Sequence, residues 1–140
     1  MILVDTGPLV ALFDPRDRDH DATKVLLASL RSPLMTTVPV LTEAFHMVHP
    51  ASRGAEALRE FVAARGMGVW FLDDDGLLRA FELMRTYADH PMDLADASLV
   101  TAAEALRTTT VLTLDRSDFA TYRARMGRTA KRFRVLDPAR

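Results

Sequence analysis

Apolar residues along the chain fall into short continuous runs, separated by longer stretches in which they recur at helical spacing. Short apolar or β-branched runs between turn-forming residues are typical of buried strands. The sequence predicts five strands, over residues 1–4, 34–36, 69–72, 109–114 and 133–136. The longer stretches predict helices, with Pro39 in a first helical turn and Asp93 at a helix start. These helices cover about residues 9–13, 22–30, 39–48, 54–64, 77–87, 93–106 and 119–126.

Strands that alternate with helices predict parallel strands joined by helical crossovers. The chain has 140 residues, which suits one domain, and no repeat or low-complexity linker divides it. We therefore expect an α/β sandwich, with a central parallel sheet of four to five short strands flanked by helices. We expect this fold to form a single domain over residues 1–140.

Composition narrows both the chemistry and the location of the protein. The absence of cysteine excludes disulfides and thiolate metal sites, and it fits a reducing compartment. The apolar start of the chain lacks the basic stretch of a secretion signal and is interrupted by Asp5 and Pro8. No apolar run approaches the roughly 20 residues that span a bilayer. We therefore expect a cytoplasmic protein without a membrane partner.

Four acids occupy the ends of predicted strands or the starts of predicted helices. Asp5 follows the first strand directly, and Asp115 follows the strand near residue 111. Glu43 and Asp96 lie early in two helices. Because sites in open parallel sheets lie beyond the carboxyl ends of the strands, we expect all four acids at one edge.

Carboxylates gathered at one edge repel each other unless protons or a cation neutralise them. Two unit charges 4 Å apart cost about 4 kcal/mol at an effective dielectric of 20. Without sulfur ligands, such a site suits Mg²⁺ or Mn²⁺, which also accept phosphate oxygens of a substrate. The chemistry that follows is metal-assisted, in-line attack of water on a phosphodiester. Structural interpretations also exist, since Asp5 can start a β-turn and Asp93 can cap a helix.

Four segments, in order and spacing, resemble the PIN-domain nucleases, and within them the VapC toxins of bacterial toxin–antitoxin pairs. They span nearly the whole chain: Ile2–Gly7, Thr42–Ala44, Asp93–Val100 and Leu112–Phe119. The resemblance implies a PIN-like three-layer sandwich and a metal-dependent endoribonuclease. Members of this family commonly form homodimers and are silenced by a small antitoxin. RNA, an antitoxin and a second copy of the chain are therefore the expected partners.

The resemblance also implies roles for individual residues. Four acids would be the catalytic residues and the ligands of one or two Mg²⁺ or Mn²⁺ ions: Asp5, Glu43, Asp96 and Asp115. Four further residues are candidates for supporting them by hydrogen bonds or as outer groups: Thr6, Asp93, Thr113 and Asp118.

Positive charge gathers near the C-terminus, although the net charge of the chain is −1. Arginine forks match phosphate geometry, so these side chains are candidates for holding an RNA backbone. A solvated terminal segment is the alternative interpretation. The candidates are Arg116, Arg123, Arg125, Arg128, Lys131 and Arg132.

Three alternatives to this function stay open. Glu43, His46 and His49 lie three residues apart on one predicted helix, a spacing that a zinc site can use. A phosphotransfer receiver domain also clusters acids, but it needs a pair of them after its first strand and a lysine after its last. The third alternative is an inactive PIN-like domain that only binds RNA or protein, although the complete set of acids argues against it.

Overall fold

The computed structural model describes residues 1–140, which form seven strands and seven helices. The strands are β1 (Ile2–Val4), β2 (Leu34–Thr37), β3 (Gly68–Trp70), β4 (Thr110–Leu112), β5 (Arg123–Met126), β6 (Thr129–Arg132) and β7 (Arg134–Leu136). The helices are α1 (Thr6–Phe13), α2 (His20–Ser29), α3 (Val38–Met47), α4 (Arg53–Ala63), α5 (Asp74–Thr86), α6 (Leu94–Leu106) and α7 (Arg116–Thr121).

Five strands form one parallel sheet in the order β3-β2-β1-β4-β7. Helices connect the strands and flank the sheet, which confirms the predicted α/β class and the predicted number of strands. The order departs from the 2-1-3-4-5 order of receiver domains, because β3 pairs outside β2 rather than next to β1. All carboxyl ends of these strands point to one edge of the sheet.

The centre of the core is formed by β1, β4 and α6. Leu3 in β1 and Val111 in β4 are fully buried and lie next to each other in register. Small and apolar residues are buried on most faces of α6, which packs against both α3 and α5. A helix that is apolar on most sides is expected in the interior of a fold. Its position fixes the first turn of α6 at the carboxyl edge of the sheet.

The segment after α7 was wrongly predicted to be helical. The predicted helix over residues 119–126 is replaced by the end of α7 at Thr121 and by an antiparallel β5–β6 hairpin. Gly127 has a φ of 62° and takes the first position of the two-residue hairpin loop, as in a type II′ turn. Ala124 is fully buried where β5 packs against α6. Tertiary packing and the glycine turn therefore override the helical pattern of this segment.

Several helices begin earlier than predicted, because acids cap them. α1 begins at Thr6 instead of Leu9, and its first amide bonds to the side chain of Asp5. α5 begins at Asp74 instead of Leu77, because the Asp73 side chain accepts the amide of Gly76. None of the helices combines the length and apolar character that crossing a membrane requires.

A buried hydrogen bond joins the β2–α3 junction to α6. The hydroxyl groups of Thr37 and Ser98 lie 2.6 Å apart, and both side chains are fully buried. We expect Ser98→Ala to lower the free energy of unfolding by about 1–3 kcal/mol, because it leaves the Thr37 hydroxyl short of a partner. Urea unfolding measures the loss.

Ser29→Ala is the matched control for this substitution. The Ser29 hydroxyl also bonds to the carbonyl three residues before it, as that of Ser98 does, but Ser29 is exposed. We expect its substitution to change the free energy of unfolding by less than about 0.5 kcal/mol. Equal losses in the two variants would show that the buried bond to Thr37 contributes no specific stability.

Candidate active site

An acid-lined cavity of about 420 Å³ opens at the carboxyl ends of β1 and β4. The structure brings all four predicted acids to it, together with three of the four predicted supporting residues. Its polar lining residues are Asp5, Thr6, Glu43, Asp93, Asp96, Asp115 and Asp118. The fourth supporting residue, Thr113, is buried behind the cavity and donates a hydrogen bond to Asp5. We call this group of lining residues the acid cavity.

Asp5 lies at the floor of the acid cavity and is only 8% exposed. Its backbone amide donates to the Leu112 carbonyl at 3.0 Å, which continues the pairing of β1 with β4. Its carboxylate accepts the Thr6 amide at 2.8 Å and the Thr113 hydroxyl at 2.7 Å. Burial raises the pKa of Asp5 to about 6, and these two hydrogen bonds oppose the rise. Backbone pairing and two donors thus hold a largely buried carboxyl group in place.

Glu43 approaches the acid cavity from α3. The Thr6 hydroxyl donates to its Oε2 at 3.0 Å, so Thr6 contacts both Asp5 and Glu43. Partial burial raises the pKa of Glu43, the Thr6 hydrogen bond opposes this, and the charge of Asp93 adds to it. Thr6 is therefore the residue through which the start of α1 orients two of the predicted acids.

Asp96 lies in the first turn of α6, where Asp93 forms the N-cap and accepts the Asp96 amide at 2.8 Å. The Tyr122 hydroxyl donates to the Asp96 carboxylate at 3.1 Å. Burial, together with the charges of Asp93 and Asp5, raises the pKa of Asp96 to about 8. The capping interpretation of Asp93 is confirmed by this geometry. The cap also holds Asp93 close enough to disfavour ionisation of Asp96.

Asp115 and Asp118 form the outer side of the acid cavity at the start of α7. The Asp115 carboxylate accepts the Asp118 amide and the Ser117 hydroxyl, each at 3.2 Å. Partial burial opposes them, but these hydrogen bonds lower the pKa of Asp115 overall. Partial burial and the contact with Asp115 raise the pKa of Asp118, whose Oδ1 is hydrogen-bonded to Nε2 of His90. Of these groups, Asp115 is the acid best stabilised in its charged form.

The donor set of the acid cavity fits a hard divalent cation. Its ionisable lining groups are all carboxylates, and oxygen ligands are those that Mg²⁺ and Mn²⁺ prefer. No lysine or arginine pairs with Asp5 or Asp96, so no protein charge neutralises the two most perturbed acids. No three of these side chains are yet close enough to hold one ion. Repulsion between like charges favours such separation when no cation lies between them.

Two of the predicted phosphate-binding arginines have other contacts. Arg116 pairs with Asp137 at 3.3 Å, and the Arg123 guanidinium donates to the backbone carbonyls of the three residues before it. Both guanidinium groups thus use part of their hydrogen-bonding capacity on contacts within the protein. The other four predicted cations are exposed on the β5–β6 hairpin: Arg125, Arg128, Lys131 and Arg132.

The alternative sites find no support in this geometry. His46 and His49 are exposed, and His49 lies beyond the end of α3 with a φ of 69°. The three residues proposed for zinc therefore do not share one helix face. No lysine lines the acid cavity, whereas a receiver domain requires one at its phosphorylation site.

Two residues that contact acids of the cavity, Tyr122 and His90, were not predicted from the sequence. Tyr122 is fully buried, its ring meets the rings of Tyr87 and Phe119 edge-on, and its hydroxyl contacts Asp96. His90 bonds to Asp118 from the segment before α6. Neither position carries a motif, and both contacts join residues that are 26 or more positions apart. The only available signal was an aromatic and an imidazole side chain close in sequence to predicted acids.

The raised pKa values of Asp5 and Asp96 predict how the stability of the metal-free protein changes with pH. The folded protein holds more protons than the unfolded chain between about pH 4 and pH 8, so stability falls as pH rises through this window. We expect a loss of at least about 3 kcal/mol, most of it from buried Asp5, after discounting the contribution of the partly exposed Asp96 for solvent screening. Urea unfolding in EDTA at several pH values measures it.

Two variants separate the acid cavity from other titrating groups in that experiment. Asp96→Asn should raise stability at pH 8 and flatten the curve, because it removes the acid whose pKa is raised most. Asp75→Asn, at an exposed acid in the first turn of α5, should keep the wild-type slope. If the curve of Asp96→Asn were parallel to that of the wild type, the predicted strain at Asp96 would be wrong.

Proteins with similar sequences indicate the family to which this chain belongs. The family model described as the PIN domain matches residues 2–124. Ribonuclease VapC26 of Mycobacterium tuberculosis (strain ATCC 25618 / H37Rv) is 32% identical over 126 residues, which cover 87% of this chain and 92% of that protein. The residues matched by the family model include all four predicted acids. They end at residue 124, so most of the β5–β6 hairpin lies outside them.

Solved structures agree with the family match at the level of the fold. The crystal structure of Mycobacterium tuberculosis VapC20, titled a sarcin–ricin loop cleaving toxin, has a TM-score of 0.73 at 23% identity, over 79% of this chain and 87% of that one. A toxin–antitoxin complex from Klebsiella pneumoniae gives a TM-score of 0.68 at 20% identity, over 99% and 98% of the two chains. The match to the family model, the identity with Ribonuclease VapC26 and the parallel sheet together show that the chain belongs to the PIN-domain family, in its VapC group.

Proposed function

We propose that this protein is a metal-dependent endoribonuclease and the toxin of a toxin–antitoxin pair, with one nuclease domain over residues 1–140. The observation that carries the proposal is that buried Asp5 and Asp96 line the same acid-rich cavity, and that neither carboxylate pairs with a lysine or arginine. Such a cavity is unfavourable for folding and favourable for holding a cation against a phosphate group. Membership of the PIN-domain family supports the same activity.

Asp5, Glu43, Asp96 and Asp115 would hold one or two Mg²⁺ or Mn²⁺ ions. Bound there, the metal supplies an activated water and shields the charge that develops on the phosphodiester. The hydrogen-bonding residues described above orient these carboxylates, so that few side-chain rotations remain to be lost on binding. Their contribution is to limit the movement by which the acids, no three of which are yet close enough to hold one ion, would gather around a cation.

Asp118, which is hydrogen-bonded to His90, has a different role from the proposed metal ligands. Asp118 lies at the cavity rim and is bonded to His90 on one side and to Asp115 through its amide on the other. This geometry supports Asp118 as a residue that orients Asp115. The backbone amide of Asp115 in turn donates to the Thr113 hydroxyl at 2.9 Å, which links Asp115 to Asp5. These hydrogen bonds connect Asp115 to Asp5 and, through Thr6, to Glu43.

The proposal includes a small antitoxin and a second copy of the chain as partners in the cytoplasm. Similarity to a protein of a toxin–antitoxin complex over nearly the full length supports the antitoxin. Phe71, Leu78 and Phe81 are large apolar side chains on or just before α5, and all three are exposed. Exposed apolar side chains of this size are typical of surfaces covered by another protein. They support the homodimer.

Metal binding should be visible as increased stability. At 100 times the dissociation constant, Mn²⁺ should raise the free energy of unfolding by about 2.7 kcal/mol. Asp96→Asn should be more stable than the wild type in EDTA and should lose this response, whereas Asp75→Asn should keep it. Thermal unfolding with and without Mn²⁺ measures both effects. A full response in Asp96→Asn would remove this residue from the proposed ligands.

Cleavage of RNA tests the activity itself. Purified protein, freed of any antitoxin, should cut total RNA into discrete fragments with Mg²⁺ or Mn²⁺ and leave it intact in EDTA. Asp5→Asn should lower the cleavage rate by about a thousandfold or more, because an amide replaces the carboxylate at the buried floor of the site. Sequencing of the fragment ends would identify the target.

The alternative function, an inactive RNA- or protein-binding domain, predicts a different outcome of the same assay. A folded protein that shows neither cleavage nor a Mn²⁺ response would contradict the nuclease and favour this alternative. The control variant Asp75→Asn should cleave at the wild-type rate, since its carboxylate is exposed and outside the acid cavity.

A further inference from the structure

A second concave surface lies between the end of α5 and the β5–β6 hairpin, and we call it the hairpin groove. Its volume is about 290 Å³, and it shares no lining residue with the acid cavity. Leu83 and Tyr87 line it from the α5 side, and Arg123, Arg125 and Arg128 line it from the hairpin. Guanidinium groups beside an aromatic ring are the combination that binds single-stranded nucleic acids.

The arginines of the hairpin groove divide into two pairs. Arg79 binds the Glu104 carboxylate with Nε and Nη2, at 2.8 and 2.9 Å, and Arg123 binds backbone carbonyls. Glu104 also accepts the backbone amide of Arg125 at 2.7 Å, so the acid closest to the hairpin is already paired. Arg125 and Arg128 are exposed and form no ion pair. The first pair shapes the groove, and the second pair has charge available for a ligand.

The hairpin itself accumulates positive charge at a cost to its own stability. Arg123 lies directly opposite Arg132, and Arg125 lies opposite Ala130, so three arginines share one face of the two strands. Like charges directly opposite each other destabilise a pair of strands. Neither strand contains an acid that would offset them. A polyanion bound along this face would remove the repulsion, which folding alone leaves unrelieved.

The acid cavity and the hairpin groove are linked through contacts with α6. The Tyr122 hydroxyl contacts Asp96, and β5 starts at the next residue and packs along α6 until the Arg125 amide reaches Glu104. Asp96 and Glu104 are eight residues apart on α6, which corresponds to about 12 Å along the helix axis. This separation is short enough for one RNA strand to reach both sites.

We propose that the hairpin groove binds the RNA segment on one side of the scissile phosphate. Arg125 and Arg128 contact its phosphates, and the half-buried ring of Tyr87 offers a face to a base. The proposal rests on the proposed function in that RNA is the substrate. It adds a binding site outside the acid cavity, formed by a hairpin that lies mostly beyond the residues matched by the family model.

Binding of a labelled oligouridylate in EDTA tests the groove without any cleavage. An RNA of about 12 nucleotides is within the usual range of site sizes for single strands. The hairpin double variant Arg125→Gln, Arg128→Gln should bind it about tenfold more weakly than the wild type. The slope of log affinity against log salt should fall by about 1.4, since each phosphate neutralised on a single strand contributes about 0.7.

A second double variant, Arg31→Gln, Arg65→Gln, is the matched control. Both arginines are exposed, form no ion pair and precede β2 and β3, at the edge of the sheet opposite the acid cavity. This control should keep the wild-type affinity and salt slope. Equal losses in the two double variants would overturn the proposal, because they would reflect net charge alone. The control should unfold like the wild type, and the hairpin variant should be no less stable than the wild type, since it loses one of the arginines that repel each other on the hairpin.

Two further outcomes distinguish a failure of the groove proposal from a failure of the proposed nuclease function. A wild type that cleaves RNA, with a hairpin variant that binds and cleaves like the control, would overturn the groove and leave the nuclease intact. A wild type that cleaves no RNA, with binding still weakened in the hairpin variant alone, would support the groove and contradict the nuclease. If the hairpin variant instead kept its RNA affinity and lost affinity for a polyglutamate peptide, the groove would bind an acidic protein segment and the RNA proposal would be wrong.

Discussion

Keeping a carboxyl group at the buried end of β1 is the constraint on which the rest of this structure depends. Desolvation disfavours a charged Asp5, and the two hydrogen bonds from Thr6 and Thr113 offset only part of that cost, because its pKa remains raised. Asp96 adds a second perturbed acid that no basic residue neutralises. A fold that retains both groups in one cavity sacrifices stability there, and a bound cation would return it.

The acid cavity lies where three helices begin. Asp5, Asp93 and Asp115 are the N-caps of α1, α6 and α7, so three helices start at the cavity. Helix N-termini carry partial positive charge and unpaired amides, which favour nearby carboxylates by a few tenths of a kcal/mol to about 1 kcal/mol each. Capping and function are therefore compatible at these positions. Two of these capping acids, Asp5 and Asp115, are also proposed metal ligands.

Periodicity and strand ends were sufficient to predict the parallel sheet and to bring Asp5 and Asp115 to one edge, because a buried parallel strand is a short apolar run. The hairpin escaped prediction because the alternation of polar and apolar residues in β5 covers only four positions and Ala124 is the only fully buried residue of the hairpin, so the pattern is too short to distinguish a strand from a helix. The contacts of Tyr122 and His90 escaped because they depend on tertiary packing between distant segments. Local sequence contains no record of such contacts.

Anomalous diffraction from crystals grown with Mn²⁺ tests the central claim, that these carboxylates hold a cation, most directly. The account predicts a manganese peak in the acid cavity, with carboxylate oxygens of Asp5 and Asp96 among its ligands, at about the 2.0–2.2 Å typical of small divalent ions. Glu43 and Asp115 should turn toward the same ion or toward a second one beside it. An acid cavity without a peak at saturating Mn²⁺, or a peak held only by other residues, would contradict the account.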